Sequence, residues 1–539
     1  MEKKALLYCD DNTDIVEFAS FLEKNGWTIF SNGTTAEILK ENNISFKIEH
    51  AFDNSPRNIN ESSQLIQRIL HTRVANSGSP FDTPDNENNY FIICINFDPL
   101  QGHIEYIPKV ATGSSGLTSY RATLTRDSSI NFFNVLILTD PYDYKECLIE
   151  LRIDDIQQSF RTYLAGKALN LVSAYDSANA FAINENNPFS SHSYLNYLTM
   201  PYKKTMVLDK AMNPTQNSIV YQLGSDGGSI QGFKMINMEK PSHTVLADSS
   251  YAWDQICMLY ENLKVTSAIK SENCEGYPYT TQFTPLTGTV YSILIKFRTI
   301  VGAGIDTNVS DSFKKTLGYD LDSTVNSTLG CSSVIDSEAA QEIVKYNFNA
   351  IIAPGFTDDA KEIFSSLKNT CLIAATRPAT SVFSALILDG GVIVSNIYRK
   401  LFERWVVPTK TRPTQKQCDE LAFGMCLAKS ANSYASVCIK DYAMVGFASN
   451  YTSRFKALGS ALYEAKQSFI LHPTDDNIIA DVLISDTALV LCEPIKELID
   501  NGLQAIIQTG GDPGDQDFID YCDAHNVAMV FTGITQINY

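Results

Sequence analysis

Ala505-Ile-Ile-Gln-Thr-Gly-Gly511 carries a short apolar run into a glycine pair, a helix pattern follows from about Gln516, and Val527-Ala-Met-Val-Phe-Thr532 is a second apolar run. Strand, turn, helix, strand is the repeating unit of a mostly parallel sheet, because parallel neighbours need a crossover between them. The amino-terminal part repeats the theme. Ala5 to Cys9, Trp27 to Ser31, Tyr90 to Phe97 and Asn134 to Thr139 read as strands. Between the first two, Asn12 or Thr13 is placed to cap a helix with Ile15, Phe18 and Leu22 on one face, and Thr35 to Lys40 opens another. From Asp154, residues Ile156, Phe160, Leu164, Ala168, Leu171 and Tyr175 recur three to four apart, as one long amphipathic helix or two in series. Asn184 to Tyr197, rich in Asn and Ser, reads as a linker. Beyond it, Ala350 to Ala353 and Val392 to Val394 are further strand-like runs, and the length allows two similar layers. The class is α/β, with helices on both faces of a parallel sheet.

Composition narrows the function classes. The 539 residues suggest roughly three or four domains. A net charge of -19 argues against nucleic acid, whose binders carry a basic stripe, but leaves room for a small anion in one local positive pocket. The 12 Cys include no Cys-x-x-Cys pair, so neither structural zinc nor a disulfide framework is expected, and no metal site is assigned. With 7 His, imidazole chemistry has few candidates, and His71, His192 and His472 have no partner in sequence. No window reaches the ~18 apolar residues of a membrane span. The amino terminus turns acidic at Asp10 and Asp11, too early for a signal peptide, so a cytoplasmic protein without a membrane partner is expected.

A further set of motifs resembles the bifunctional purine-biosynthesis family of AICAR transformylase/IMP cyclohydrolase. In the first part these are Ala5-Leu-Leu, Ile15-Val-Glu-Phe-Ala, Ser31-Asn-Gly-Thr-Thr-Ala, Thr139-Asp-Pro-Tyr-Asp-Tyr, Leu164-Ala, Lys167-Ala and Ala174-Tyr-Asp. Later come Ile351-Ile-Ala-Pro-Gly, Trp405-Val-Val, Thr411-Arg-Pro-Thr, Ala505-Ile-Ile-Gln-Thr-Gly-Gly and Ala528-Met-Val-Phe-Thr-Gly, in the family's order. The resemblance implies a methylglyoxal-synthase-like domain over 1–185, a linker at 186–199, and a transformylase of two cytidine-deaminase-like units over 200–539. It also implies AICAR- or IMP-like nucleotides, 10-formyltetrahydrofolate as formyl donor, and a homodimer with transformylase sites between subunits.

The same resemblance marks where the chemistry departs. Ser31, Gly33, Thr34 and Thr35 match the family's phosphate loop, and amides at a helix amino terminus attract anions. Arg121 is retained, but the family lysine four residues on is Thr125. The family's Lys-Thr-Leu-His-Pro-Lys becomes Arg68-Ile-Leu-His71-Thr-Arg73, Asn-Leu-Tyr-Pro-Phe becomes Asn96-Phe-Asp98-Pro-Leu100, and Asp-Ile-Gly-Gly becomes Gly113-Ser-Ser-Gly116. Ring closure needs a polarised carbonyl and a proton shuttle, and these changes remove most of that apparatus. In the transformylase, the family's Lys-His-x-Asn-Pro reads Lys270-Ser271-Glu272-Asn273-Cys274. Lys270 and Asn273 stay, while the histidine base becomes a serine hydroxyl that is no base unless activated. A phosphate-facing arginine becomes Asp209 ahead of Asn213, a reversal of charge that should repel phosphate. Ser-Ala-Phe-Gly-Gly becomes Ser327-Thr-Leu-Gly330-Cys, Lys-Ser-Asn-Ala becomes Asn432-Ser-Tyr434-Ala, and the basic carboxy terminus becomes Thr535-Gln-Ile-Asn-Tyr539. Asn213, Gly330, Arg454 and Asp486 remain as substrate-binding candidates, with Arg121 in the first part. Three readings follow: a divergent relative impaired in both parent reactions, an altered or residual formyltransferase using Lys270, and a non-catalytic nucleotide- or partner-binding paralogue.

Overall fold

A computed structural model describes residues 3–49, 91–99, 114–153, 156–185, 196–213, 215–223, 228–265, 288–318, 321–378, 383–397 and 400–538. The chain forms two compact units, Met1–Lys204 with Tyr221–Asp226, and Thr205–Val220 with Gly227–Tyr539.

In the first unit the order is β1 (Lys4–Cys9), α1 (Ile15–Lys24), β2 (Thr28–Ser31), α2 (Gly33–Glu41), β3 (Lys47–Ile48), β4 (Ile92–Asn96), α3 (Ser114–Ile130), β5 (Leu136–Leu138), α4 (Tyr144–Ile153) and α5 (Gln158–Glu185). The strands form an all-parallel sheet, β3-β2-β1-β4-β5. Both faces are covered, so β1 and β4 are buried along nearly their whole length. The strand order reverses between β1 and β4, and in open α/β sheets ligands bind beyond the carboxyl ends at that reversal. The expected cap at Asn12 or Thr13 is corrected: Asp14 precedes α1 in left-handed backbone, φ 57°, with no side-chain cap. At α2 it is Asn32 that caps, its side chain accepting from the Gly33 N–H at 2.6 Å. The periodicity after Asp154 resolves into the single helix α5.

A two-stranded ribbon, β6 (Lys203–Val207) with β7 (Ile219–Gln222), lies where the chain passes between units. The second unit holds β8 (Phe233–Met235) and then two copies of one pattern. The first copy is α6 (His243–Tyr260), β9 (Val290–Lys296), β10 (Thr299–Asp306), α7 (Val309–Thr316), a short α8 (Leu321–Thr324), β11 (Thr328–Cys331), α9 (Ser337–Ile343), β12 (Ala350–Ala353), α10 (Asp358–Phe364) and β13 (Cys371–Ala375). After a hairpin of β14 (Phe383–Leu388) and β15 (Gly391–Asn396), the second copy runs α11 (Gln415–Ser430), β16 (Ser436–Lys440), β17 (Ala443–Ala448), α12 (Arg454–Leu471), β18 (Val482–Ser485), α13 (Glu493–Asp500), β19 (Ala505–Gln508), α14 (Asp515–Ala524) and β20 (Ala528–Phe531).

The two copies share one sheet of 11 strands, β20-β19-β18-β16-β17-β10-β9-β11-β12-β13-β8, joined where β10 pairs antiparallel with β17 at Gly304 and Ala443. They are therefore side-by-side repeats rather than stacked layers. Helices α6 and α11 pack together on one face around a single apolar core, and the remaining helices cover the other. One glycine device recurs. A Cβ on Gly304 would stand 2.8 Å from the Ser312 carbonyl oxygen, and one on Gly446 would stand 2.1 Å from that of Ala461. In each repeat the helix backbone after the hairpin thus touches the second hairpin strand.

Candidate functional site

In the first unit, Asp10, Asp11 and Asn12 leave β1 while Asn96, Phe97 and Asp98 leave β4, so the reversal point is rimmed by carboxylates. Asn96 Oδ1 accepts from the Asp10 and Asp11 N–H groups at 2.8 Å, and its Nδ2 donates to the Asp11 carbonyl at 2.8 Å, stapling the two loops together. Arg121, from α3, is ion-paired with Asp10, and its guanidinium lies 4.0 Å from the centroid of the Tyr8 ring. The side chain is nine-tenths buried, yet among the described residues its Nε has no partner, and neither has the buried Asn12 Oδ1. The crevice therefore keeps a donor and an acceptor unmet beside a cation that a carboxylate already neutralises.

Two residues expected to face an anion turn inward. The Ser31 hydroxyl donates to the Leu7 carbonyl at 2.8 Å, and both residues are fully buried. Thr35 Oγ1 donates to the Cys9 carbonyl at 3.0 Å and accepts the Cys9 N–H at 2.9 Å. Both hydroxyls tie β2 and α2 to β1. Gly33 and Thr34 stay exposed, with Gly33 at φ 60° against the Tyr8 ring.

In the second unit the expected residues separate. Gly330 is fully enclosed in β11, and a Cβ there would stand 3.1 Å from Ile293 Cγ2 and 3.2 Å from Ala252 Cβ. It is a packing position that admits α6 to the sheet. Asp486 follows β18. From β11 to β18 there are five strand steps, every one antiparallel, so the two strands run in opposite directions and their carboxyl ends face opposite ends of the sheet. At about 4.8 Å per step, roughly 24 Å also separates them across the sheet. Gly330 and Asp486 therefore do not meet within one chain. Asn213 is exposed and its Nδ2 donates to Gln216 at 3.1 Å. Asp209 is also exposed. Lys270, Ser271 and Asn273 lie outside the described residues, as do His71, Arg68 and Arg73.

The carboxyl ends of β18, β19 and β20 do converge. Asp486 is wholly buried; its Oδ2 accepts from the Ser433 hydroxyl at 2.7 Å and its Oδ1 has no partner. Burial pushes its carboxyl up to about 6. Arg454, at the start of α12, donates to the Ala488 carbonyl at 2.8 Å and to Asp512 at 3.2 Å, which holds the loops after β18 and β19 in place. Beside them is a cavity of about 290 Å³ lined by Arg404, Val406, Thr509, Gly510, Gly511, Phe531, Gly533, Ile534 and Thr535. Gly510 and Gly533, at φ 73° and 70°, admit the Phe531 ring and the Arg404 guanidinium to within 2.8 and 2.6 Å of where a Cβ would stand. Sequence motifs alone miss Arg404; its place one residue before Trp405-Val-Val is the available signal.

The family described as AICARFT/IMPCHase bienzyme matches residues 128–464, more than half of the chain. The chain belongs to the AICARFT/IMPCHase bienzyme family. A "Bifunctional purine biosynthesis protein PurH" from Clostridium acetobutylicum is 28% identical over 549 residues, covering 100% of both chains. Another of that description, from Fusobacterium nucleatum subsp. nucleatum, is 28% identical over 556 residues with the same coverage. A solved structure described as that of ForH covers 34% of this chain and 98% of its own at 18% identity, with a TM-score of 0.26, too slight a likeness to bear on the fold. As a member of the AICARFT/IMPCHase bienzyme family, the chain aligns end to end with relatives named for purine biosynthesis.

Proposed function

We propose that this chain is a divergent AICARFT/IMPCHase member in which both parent reactions are impaired, while the scaffold that holds a purine-nucleotide-like anion persists. The observation that carries this reading is the Arg121–Asp10 ion pair. The cation retained at the reversal point is engaged by Asp10, Asp11 is exposed beside it, and Asp98 is half-buried and ion-paired with Lys203 at 3.2 Å, so a phosphate entering there meets the repulsion of Asp10 and Asp11. In the transformylase-like part, Ser271 stands where the family has its histidine base, and removing such a base typically lowers rate by ~10²- to 10⁴-fold. The two units correspond, in this reading, to the methylglyoxal-synthase-like and paired cytidine-deaminase-like parts of the family. In this reading the chain works as a homodimer with sites between subunits, as the family resemblance implies.

A second reading, residual or altered formyl transfer to an AICAR-like amine from 10-formyltetrahydrofolate with Lys270 as base, is favoured by the 290 Å³ cavity and by a carboxyl at about 6 beside it. The residues there fit an anionic group: a guanidinium, two glycines and the Thr509 and Thr535 hydroxyls. Calorimetric titration of the purified chain with AICAR and then with a reduced folate separates the two. Silence with both ends the transferase reading. Heat with both, abolished by Arg404→Ala, places the substrates in this cavity and removes the case for impairment there.

A further inference from the structure

We propose that the slot between β10 and β17, where the two repeats of the second unit meet, binds a small organic cation, an aliphatic ammonium or guanidinium. The two repeats enter this seam alike. β9–β10 turns through Phe297 and Arg298 and β16–β17 through Asp441 and Tyr442, all four at positive φ. Counted from those turns, Thr299 matches Ala443 and Gly304 matches Ala448, the first and sixth residues of β10 and β17. Each strand also carries one extra residue at its third position. Val301 has no opposite number on β9 between the pairs Ile300–Ile295 and Gly302–Leu294, and Val445 has none on β16 between Met444–Ile439 and Gly446–Cys438. Bulges of this kind end pairing and re-aim side chains, and they collect beside functional sites.

Repeat symmetry would zip the seam at both ends, but one end stays open. Gly304 pairs with Ala443, and the Ile305 N–H donates to the Tyr442 carbonyl at 3.0 Å. The reciprocal pair, Ala448 with Thr299, does not form among the described residues. A cavity of about 250 Å³ occupies the open half, with both bulged valines in its wall and the exposed Thr299 at its edge. That is room for a small aliphatic molecule, below the ~300 Å³ at which pockets for drug-sized ligands begin. Its polar side chains are the hydroxyls of Thr299, Ser323, Ser449, Ser460 and Tyr451 and the carboxylate of Glu464, with no Lys, Arg or His among the described lining residues. Glu464, from α12, takes the role a partner strand's carbonyl would have: its Oε2 accepts the Phe447 N–H at 2.8 Å. A carboxylate only accepts, and an ammonium or guanidinium brings only donors. An anionic ligand would instead face Glu464 with no lining cation to offset it. A cation bound there touches both repeats where the ladder leaves them apart. The Arg404 cavity, with its guanidinium, selects the opposite charge.

The probe is agmatine, which carries an ammonium at one end and a guanidinium at the other, titrated calorimetrically into the full chain. One agmatine per chain is expected to bind, and butyrate, a small aliphatic anion, is not. Hydrogen exchange should slow on saturation at amides 299–301 and 445–449 and nowhere in the first unit. Glu464→Gln removes the charge and keeps an acceptor for the Phe447 N–H. It should weaken binding about 30-fold or more, as for losing one partner of an enclosed charge pair. Thr299→Trp fills the slot with Glu464 intact and should abolish binding. Asp358→Asn, at an exposed carboxylate on α10, should change nothing. No heat with agmatine, equal heat with butyrate, or slowed exchange that misses both strands overturns the proposal. So does binding that survives either slot substitution or that Asp358→Asn weakens equally, since the amine is then a loose counter-ion of a chain with net charge -19.

Discussion

Arg121 is ion-paired with Asp10 across 111 residues of chain, over the face of the Tyr8 ring. Each partner limits what the other can do. A guanidinium whose charge is already matched by a carboxylate, here through its Nη1 group, is a poorer phosphate ligand. Asp10→Asn removes the competing charge while keeping an acceptor. The affinity of the chain for IMP, measured by calorimetry, should rise at least tenfold. An unchanged affinity would mean that Asp10 does not hold Arg121 back.

Thr35 separates a structural from a ligand role. Thr35→Val keeps the shape of the side chain, takes the acceptor from the Cys9 N–H and leaves the Cys9 carbonyl with its second donor, Asn12 Nδ2 at 3.3 Å; the buried N–H left unpaired costs about 1–3 kcal/mol. The first unit should lose stability by that order in urea melts. IMP affinity, corrected for the fraction folded, should not move. A loss of affinity without a loss of stability would restore Thr35 to the anion site.

Glu420 makes the second unit sensitive to pH. Its side chain is fully buried, and burial first, then Asp481, push its carboxyl up to about 7, against the pull of Lys416 3.6 Å away. Burial likewise lifts Asp419 to about 6. Raised carboxyls mean that the folded state holds more protons than the unfolded between about pH 4 and 7, so these groups add stability as pH falls through that window. Calorimetric melting of the second unit should therefore occur higher at pH 5.5 than at pH 7.5. Glu420→Gln should flatten the slope and gain on the order of 2 kcal/mol at pH 7.5, since each tenfold change in proton affinity between the folded and unfolded states corresponds to about 1.4 kcal/mol. A wild-type profile that rises steadily from pH 5.5 to 7.5 would refute the assignment.

Arg404 is exposed, and its backbone N–H, not its guanidinium, is the group bonded to the Thr532 carbonyl. Arg404→Ala should leave the melting temperature within a degree and weaken phosphate or AICAR binding about tenfold. A fall in stability instead would show the side chain to be a strut for the Gly533 turn.

What the sequence revealed and what it hid divide along a physical line. Ala5–Cys9, Ala350–Ala353 and Ala505–Gln508 are apolar runs buried on both faces, so the α/β class was legible; strand direction was not, because β16 is equally buried and antiparallel to both neighbours. The side on which Ser31 spends its hydroxyl was not, because it depends on the pairing of Ser31 with Leu7 across two strands. Gly330 matched a motif, but only the approach of Ala252 and Ile256 on α6 reveals a packing glycine. Val392–Val394 is a strand as its composition indicates; that it stands in solvent follows from its pairing with β14 alone. The coupling of Arg121 to Asp10 has no local signature at all.

The most direct test of impaired chemistry is turnover. The purified full-length chain, given AICAR and 10-formyltetrahydrofolate, is followed by the absorbance of tetrahydrofolate beside an authentic family enzyme at equal concentration. The expected rate is at least 100-fold lower than that of the reference enzyme, with no further loss on Lys270→Ala. A rate matching the reference, abolished by Lys270→Ala, would contradict it.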